Sequence, residues 1–496
     1  MNRISKNNEK SKSFPIKRLL FCSMLIIVFF LIFIILFRFY NRTHGWQDDL
    51  DRLYAEDYQC IFLSMFSSFH VNEDDYEYYR ALTAVKVDYE FQSLKEISTF
   101  LEDGFLESNK ISTIYLGLDP VKIGKNNHND SKKYMETLNS YMLPFIERYP
   151  DIVFEVLLSY PSLDWWQSLK EKQILPIQRI YLDIVSALQT LPNIKIFYLG
   201  HNEWLIGNPD NYETNKTCTP DISKLIFLLT FCDSKYQTNT LILEEQLSQL
   251  NTLIEDSSFC KNIDYSNYSF VFFGDSIIGN YSGSLSIPGV VKAYTNSQVY
   301  NCGYGGLSAS EYAPGSMSFP TLVEAFLSGD CNAIPQDKQA YTGIMEYWQT
   351  NAIDTDKICF FINFGLNDYF NGCAIENINL YDITSYAGAL RTGILNLQTA
   401  YPEAKIVLMT PTYTILFTNG TEHNGESGGI LTDYVAATFS IADELSIHLK
   451  NNYEDLGIHA ENYGQYLSDG CHLNEAGRYM LGRQIVELLN QIYASS

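Results

Sequence analysis

The sequence predicts an α/β protein: two successive α/β domains built on parallel sheets, behind a single N-terminal apolar span. Three observations carry this. Apolar runs of strand length recur along residues 57–496 and alternate with stretches of helical pattern, as βαβ units require. A polar, aperiodic stretch at 256–268 divides that region in two. Residues 19–37 hold no charged side chain at all. The 496 residues are enough for two or three domains, each with its own core. A content of 46% apolar, 19% charged and 14% aromatic residues excludes a disordered chain.

The elements follow in order. Residues 1–18 form a basic tail with six Lys or Arg and one Glu, a net +5. The whole chain carries −24, so the remainder carries −29. As a helix, 19–37 spans roughly 28 Å, close to the hydrocarbon thickness of a bilayer. The exit, FRFYNRTHG, has no small-residue cleavage site, so the span reads as a retained signal anchor. The basic excess before it predicts a cytoplasmic tail, a linker at 38–56 and a body outside the cell membrane. That acidic body repels nucleic acid and anionic membrane surfaces, so membrane contact is expected through residues 19–37 alone and nucleic acid is not a partner. The ten cysteines show no CxxC pair and no metal-like spacing. They read as buried small hydrophobes, with room for a disulfide or two.

Residues 57–255 form the first α/β domain. Strands are expected at 60–66, 112–118, 151–160 and 193–200, and helices at 134–147, at 165–191 broken by Pro176, at 220–231 and at 241–254. His201, Asn202 and Glu203 follow one strand end, and Asp164, Trp165 and Trp166 another. No Asp stands three residues before a His here. The domain reads as a packing or substrate-recognition module. A second reading is a hydrolase-like domain that has lost its acid–histidine end. The Trp pair reads as core, with a sugar platform as the alternative.

Residues 266–496 carry the chemistry. The buried-strand run Phe270, Val271, Phe272, Phe273 stops at Gly274 and is followed by Asp275 and Ser276. A hydroxyl at the carboxyl end of a parallel strand sits where open α/β sheets bind ligands, which makes Ser276 a candidate nucleophile. A helix near 287–295 and a strand at 297–301 lead into NCGYGG, residues 301–306. Glycines at such a strand end let backbone N–H groups approach a ligand. The strand 357–365 ends in Gly365, Leu366, Asn367 and Asp368, which aims the Asn367 amide at the same crevice. A helix at 381–400, a strand at 404–411, a Gly/Asn-rich specificity loop at 412–430, a helix at 431–450 and a short strand at 456–461 follow. Asp469, Gly470, Cys471 and His472 then precede an amphipathic terminal helix. An Asp and a His three apart can meet on one side of a turn, so that the carboxylate fixes the imidazole tautomer and the other ring nitrogen faces Ser276. Asp275 reads as a residue that shapes the turn presenting Ser276.

GDS at 274–276, NCGYGG at 301–306, GLND at 365–368 and DGCHLNEAG at 469–477 resemble, in order and spacing, the blocks of the SGNH/GDSL hydrolase family, over roughly residues 266–493. The resemblance implies an SGNH-type, flavodoxin-like three-layer α/β/α domain. It implies a Ser276–His472–Asp469 triad and an oxyanion hole from the Ser276 N–H, Gly306 and Asn367; Gly303 and Gly305 also align with the glycine block. Gly274, Asp275, Gly365 and Asp368 are the supporting members of the blocks. The implied activity is ester hydrolysis through an acyl-enzyme, with no metal or organic cofactor. The outward position, the acidic body and the lack of a long apolar lid make an acylated, above all acetylated, glycan the expected substrate. Two other functions are compatible with the sequence. One is O-acyl transfer beside a membrane-bound O-acyltransferase in modifying envelope polymers, since similar anchored proteins work that way. The other is an anchored carbohydrate-binding protein acting through residues 57–255.

Overall fold

A computed structural model describes residues 60–65, 84–91, 94–105, 111–120, 128–232, 236–255, 264–350, 357–416 and 429–494. The basic tail, the span 19–37 and the linker 38–56 lie outside these residues, as does 417–428 of the expected specificity loop. Among the described residues no helix is long and apolar enough to cross a membrane. The chain divides into two compact units. The first takes the residues up to Ser159 with Leu175–Phe197 and Ser223–Thr240; the second takes Tyr160–Ile174, Tyr198–Ile222 and Leu241–Ser496.

The first unit holds a sheet of β1 (Cys60–Ser64), β2 (Ala84–Glu90), β3 (Thr113–Leu118), β4 (Val153–Leu158) and β5 (Ile194–Phe197). All neighbours are parallel, in the order β2-β1-β3-β4-β5. Near-continuous apolar runs such as CIFL and VLL fit strands covered on both faces. Phe62 and Tyr115 stack across β1 and β3 with ring centroids 4.5 Å apart. The edge strand β2 was not expected, because its sequence AVKVDYE alternates polar with apolar residues and lacks the buried-strand run. The helical stretch 165–191 divides earlier than expected, into Leu163–Gln167 and Glu171–Leu188, and the latter runs through Pro176. Pro176 leaves only the carbonyl of Lys172 without its helical donor, and both residues are exposed, so water can take it up.

The second unit contains a small antiparallel hairpin of β6 (Tyr212–Thr214) and β7 (Thr217–Cys218). Its sheet consists of β8 (Ser269–Gly274), β9 (Gln298–Gly303), β10 (Ile358–Asn363), β11 (Lys405–Met409) and β12 (His448–Lys450), all parallel, in the order β9-β8-β10-β11-β12. Every residue of β8 and β10 is buried, and Phe272 stacks on Phe361 at 4.5 Å. Helix Ile287–Thr295 packs with the terminal helix Glu475–Ala494, Phe319–Ser328 packs with Tyr386–Ala400, and Gln339–Gln349 lies against β9. Numbered by place in the chain, both sheets have the strand order 2-1-3-4-5, the flavodoxin-like arrangement.

The last edge strand lies elsewhere than the sequence indicates. The helix expected over 431–450 ends at Glu444, Ser446 turns the chain with a φ of 52°, and β12 follows. Residues 456–461 are not a strand, since Gly457 at φ 61° interrupts any extended run there. The helices Phe319–Ser328 and Gln339–Gln349 had no counterpart among the expected elements.

Candidate active site

β8 delivers Ser276. Its last residue, Gly274, accepts a hydrogen bond from the Tyr304 N–H at 2.8 Å, and the Asp275 N–H donates to the Asn363 carbonyl at 3.2 Å. Asp275 then caps the short helix Ser276–Gly279, its Oδ1 accepting from the Ile277 N–H at 2.9 Å. Asp275 is 1% exposed, and burial pushes its carboxyl up to about 7; the Ile277 N–H opposes this and the nearby Asp368 adds to it. The turn closes tightly on the glycine block: a Cβ on Gly303 would stand 2.6 Å from the Gly279 nitrogen.

The acid–histidine loop meets it from the other end of the unit. His472 Nε2 lies 2.9 Å from Ser276 Oγ, and His472 Nδ1 lies 2.6 Å from Asp469 Oδ2. The other carboxylate oxygen of Asp469 accepts from the His472 N–H at 2.8 Å and the Cys471 N–H at 3.0 Å. Burial works to raise the Asp469 carboxyl, but its hydrogen bonds to the ring and to these N–H groups outweigh it and hold the group below the ordinary carboxylate range. Asp469 therefore stays ionised beside the ring. The loop is fixed by donors to its carbonyls. Thr414 Oγ1 and the Ile415 N–H both bond the Gly470 oxygen, and the Ser468 N–H bonds the His472 oxygen.

The third approach comes from β10. Gly365, with φ 125°, turns the chain into helix Leu366–Asn371. Asn367 Nδ2 donates to the Leu307 carbonyl at 3.1 Å, which ties it to the segment following the glycine block. Asp368 is fully buried and gathers the same segment, accepting from the Ala309 N–H, the Ser310 N–H and Ser310 Oγ at 2.8, 3.0 and 2.7 Å. Burial raises its carboxyl, and these three donors only partly offset that. Gly306 sits in the segment at φ 86°, a backbone that side chains rarely adopt. A Cβ on its neighbour Gly305 would lie 2.5 Å from Asn280 Oδ1 and 4.0 Å from the Ser276 Cβ. Gly303 and Gly305 thus line the turn that carries Ser276, whereas a Cβ on Gly306 would meet nothing within 4 Å. Ser310 and Thr414 lie outside every quoted motif, and nothing in the sequence marks them.

The arrangement sets a hydroxyl, an imidazole and an ionised carboxylate in line, the chemistry a nucleophile, a base and an orienting acid would need. Among the described residues no group of three or more His, Cys, Asp or Glu is placed to hold a metal ion.

The candidates of the first half have other surroundings. Trp165 and Trp166 are buried, 8% and 0% exposed, and pack edge to face, so they are core and not a sugar platform. Burial lowers the His201 imidazole to about 4, which keeps it neutral. Asn202 bonds the Leu199 carbonyl, and Glu203 pairs with Arg483.

No family model matches the sequence, and no curated protein does. Solved structures do match. One is a carbohydrate acetylesterase from Sinorhizobium meliloti, 16% identical, with a TM-score of 0.31 over 45% of this chain and 99% of that one. Another is a member of the lipolytic G-D-S-L family from Veillonella parvula, 16% identical, with a TM-score of 0.30 over 45% and 98%. A third, described as a possible lipase from Chitinophaga pinensis, is 16% identical, with a TM-score of 0.32 over 45% and 98%.

Proposed function

We propose that the protein is a serine ester hydrolase of the SGNH/GDSL type, held at the outer face of a cell membrane by residues 19–37 and acting on small acyl esters of carbohydrate. The observation that carries the reading is the continuous contact Ser276 Oγ–His472 Nε2–His472 Nδ1–Asp469 Oδ2, at 2.9 and 2.6 Å. His472 accepts the Ser276 proton as the oxygen attacks the ester carbonyl, and Asp469 holds the ring in the tautomer that leaves Nε2 free to do so. The oxyanion is met by backbone N–H groups at Ser276 and Gly306 and by the Asn367 amide; one such donor is worth roughly 3–4 kcal/mol. The imidazolium then protonates the departing alcohol, and water resolves the acyl-enzyme by the same proton path in reverse. The glycan substrate and the outward position rest on the sequence: the uncharged span, the basic tail before it and the acidic body after it.

For the first half we propose a non-hydrolytic counterpart of the second. Its sheet has the same strand order. No Asp stands three residues before a His in residues 57–255, so the acid–histidine motif that precedes the terminal helix of the second half has no counterpart in the sequence of the first.

The experiment is a panel of short-chain aryl and sugar esters with the wild type and Ser276→Ala, together with labelling by a fluorophosphonate. Hydrolysis and labelling should vanish together in Ser276→Ala. Undiminished turnover by that variant would refute the assignment of Ser276.

A further inference from the structure

We infer that Arg478 is a positioning residue for the reaction: its guanidinium fixes the loop that follows Ser276 to the loop that carries His472. This rests on the serine-hydrolase reading above. The two reacting side chains are 196 residues apart in sequence, and their 2.9 Å contact depends on two separate loops keeping their spacing. Arg478 lies in the terminal helix, is 1% exposed, and spans both loops. Its Nη1 donates to the carbonyl of Leu473, the residue after His472, at 2.6 Å. Its Nε donates to the carbonyl of Leu285, in the loop after Ser276, at 2.6 Å. The flat face of the group stands 3.5 Å from the ring centroid of Tyr281 in that same loop. Glu475 offers a counter-charge at 3.7 Å.

The chemistry of the group suits this task. Guanidinium presents donors in a rigid plane while its face stacks on an aromatic ring, so three directions are set at once. A lysine ammonium is a point charge on a flexible stem and cannot hold two carbonyls and a ring in one geometry. The loop is also held from its other side, where Asn301 on β9 donates to the carbonyls of Ile278 and Tyr281 at 3.2 and 3.1 Å. With Asn301 fixing the loop to the sheet, Arg478 sets its distance from His472. No step of the proton path uses Arg478; its effect runs through Ser276 and His472.

The test compares wild type, Arg478→Lys and Tyr281→Leu in the full chain. It measures the second-order rate of fluorophosphonate labelling of Ser276, kcat and KM on p-nitrophenyl acetate, and Tm. A misplacement near 1 Å costs about 100-fold, so labelling and kcat of Arg478→Lys should fall about 10- to 100-fold, with KM within about twofold, well below its Tm. Tyr281→Leu, at a partly exposed site, should show a smaller fall of about 3- to 10-fold in the same two rates. A folded Arg478→Lys that labels and turns over like wild type, losing only Tm, overturns the inference. Should Arg478→Lys fail to fold, unchanged rates in Tyr281→Leu overturn it equally. A wild type that is not labelled at all overturns the serine-hydrolase reading itself and this inference with it.

Discussion

Replacing Asp469 by Asn tests the site harder than removing the side chain altogether. One carboxylate oxygen faces His472 Nδ1 at 2.6 Å, while the other accepts two backbone N–H groups at 2.8 and 3.0 Å. An Asn amide has only one oxygen to share between these places. If the oxygen stays with the two N–H groups, the NH2 donates to Nδ1, the ring proton moves to Nε2, and Nε2 can no longer accept from Ser276. If the amide flips, the two N–H groups lose their acceptor and face the NH2 instead, at about 1–3 kcal/mol each. The first orientation therefore wins by about 3 kcal/mol, which leaves the productive tautomer below about 1%. A triad acid replaced this way in a buried setting costs about 10⁴ in kcat. The Asp469 side chain is 52% exposed, so solvent already screens part of its effect on the imidazolium and a fall of about 10³ is expected. Asp469→Ala lets water bind Nδ1 in either sense, so its kcat should fall less, by about 10- to 100-fold. The assay is kcat for p-nitrophenyl acetate in both variants, with Tm as a control on folding. An Asn variant that is milder than the Ala variant, with Tm intact, would show that the 2.6 Å contact does not set the tautomer.

Three other perturbations follow from the same geometry. Asn367→Ala should lower kcat about 10²- to 10³-fold with little change in KM, as expected for a donor that meets the oxyanion in the transition state, with Tm as the control for its bond to the Leu307 carbonyl; a change confined to KM would remove Asn367 from that role. Gly303→Ala would place a Cβ 2.6 Å from the Gly279 nitrogen, so the nucleophile turn must shift, and fluorophosphonate labelling should drop at least tenfold by about the argument that applies to any 1 Å displacement; normal labelling would contradict that packing. The third concerns pH. The Asp275 carboxyl is raised from 3.8 to about 7, so between these values the native state keeps a proton that the unfolded chain has lost, and stability falls as pH rises. Asn at 275 keeps an acceptor for the Ile277 N–H and cannot ionise, so Asp275→Asn should lose less stability than wild type from pH 4 to 7, by up to ~4 kcal/mol. Parallel Tm-versus-pH curves for the two proteins would count against a buried, protonated Asp275.

Much of the site was legible because each motif is local. Gly274, Asp275 and Ser276 end one apolar run, Gly365 to Asp368 end another, and Asp469 and His472 lie within one turn. A parallel sheet carries all such strand ends to one edge, so their order in the chain was enough to bring them together. The supports were not legible. Asp368 meets Ser310 across 58 residues, and Arg478 meets Leu285 across 193, and no pattern in either segment foretells its partner. Secondary structure failed where the signal was weak or borrowed. β2 alternates polar and apolar residues at a sheet edge, and β12 is so short that it read as the tail of a helix, whose true end depends on a left-handed Ser446. The tryptophans at 165 and 166 were open to two readings, because composition does not distinguish a stacking platform from a core.

The second unit also holds Tyr160–Ile174 and Tyr198–Ile222, which come from the first half of the chain. Within that unit Tyr294 donates to the Gly207 carbonyl at 2.5 Å, Asn208 to the Ser284 carbonyl at 3.2 Å, and Glu203 pairs with Arg483 of the terminal helix. The region 266–496 is therefore not a self-contained cassette. A recombination point in the polar stretch at 256–268 would join the four motifs to a new neighbour but leave behind Trp165, Trp166 and Trp204, which are buried in the intact unit. Cut there, the second unit would lose part of its core, so segments 160–174 and 198–222 belong with the residues that carry the four motifs.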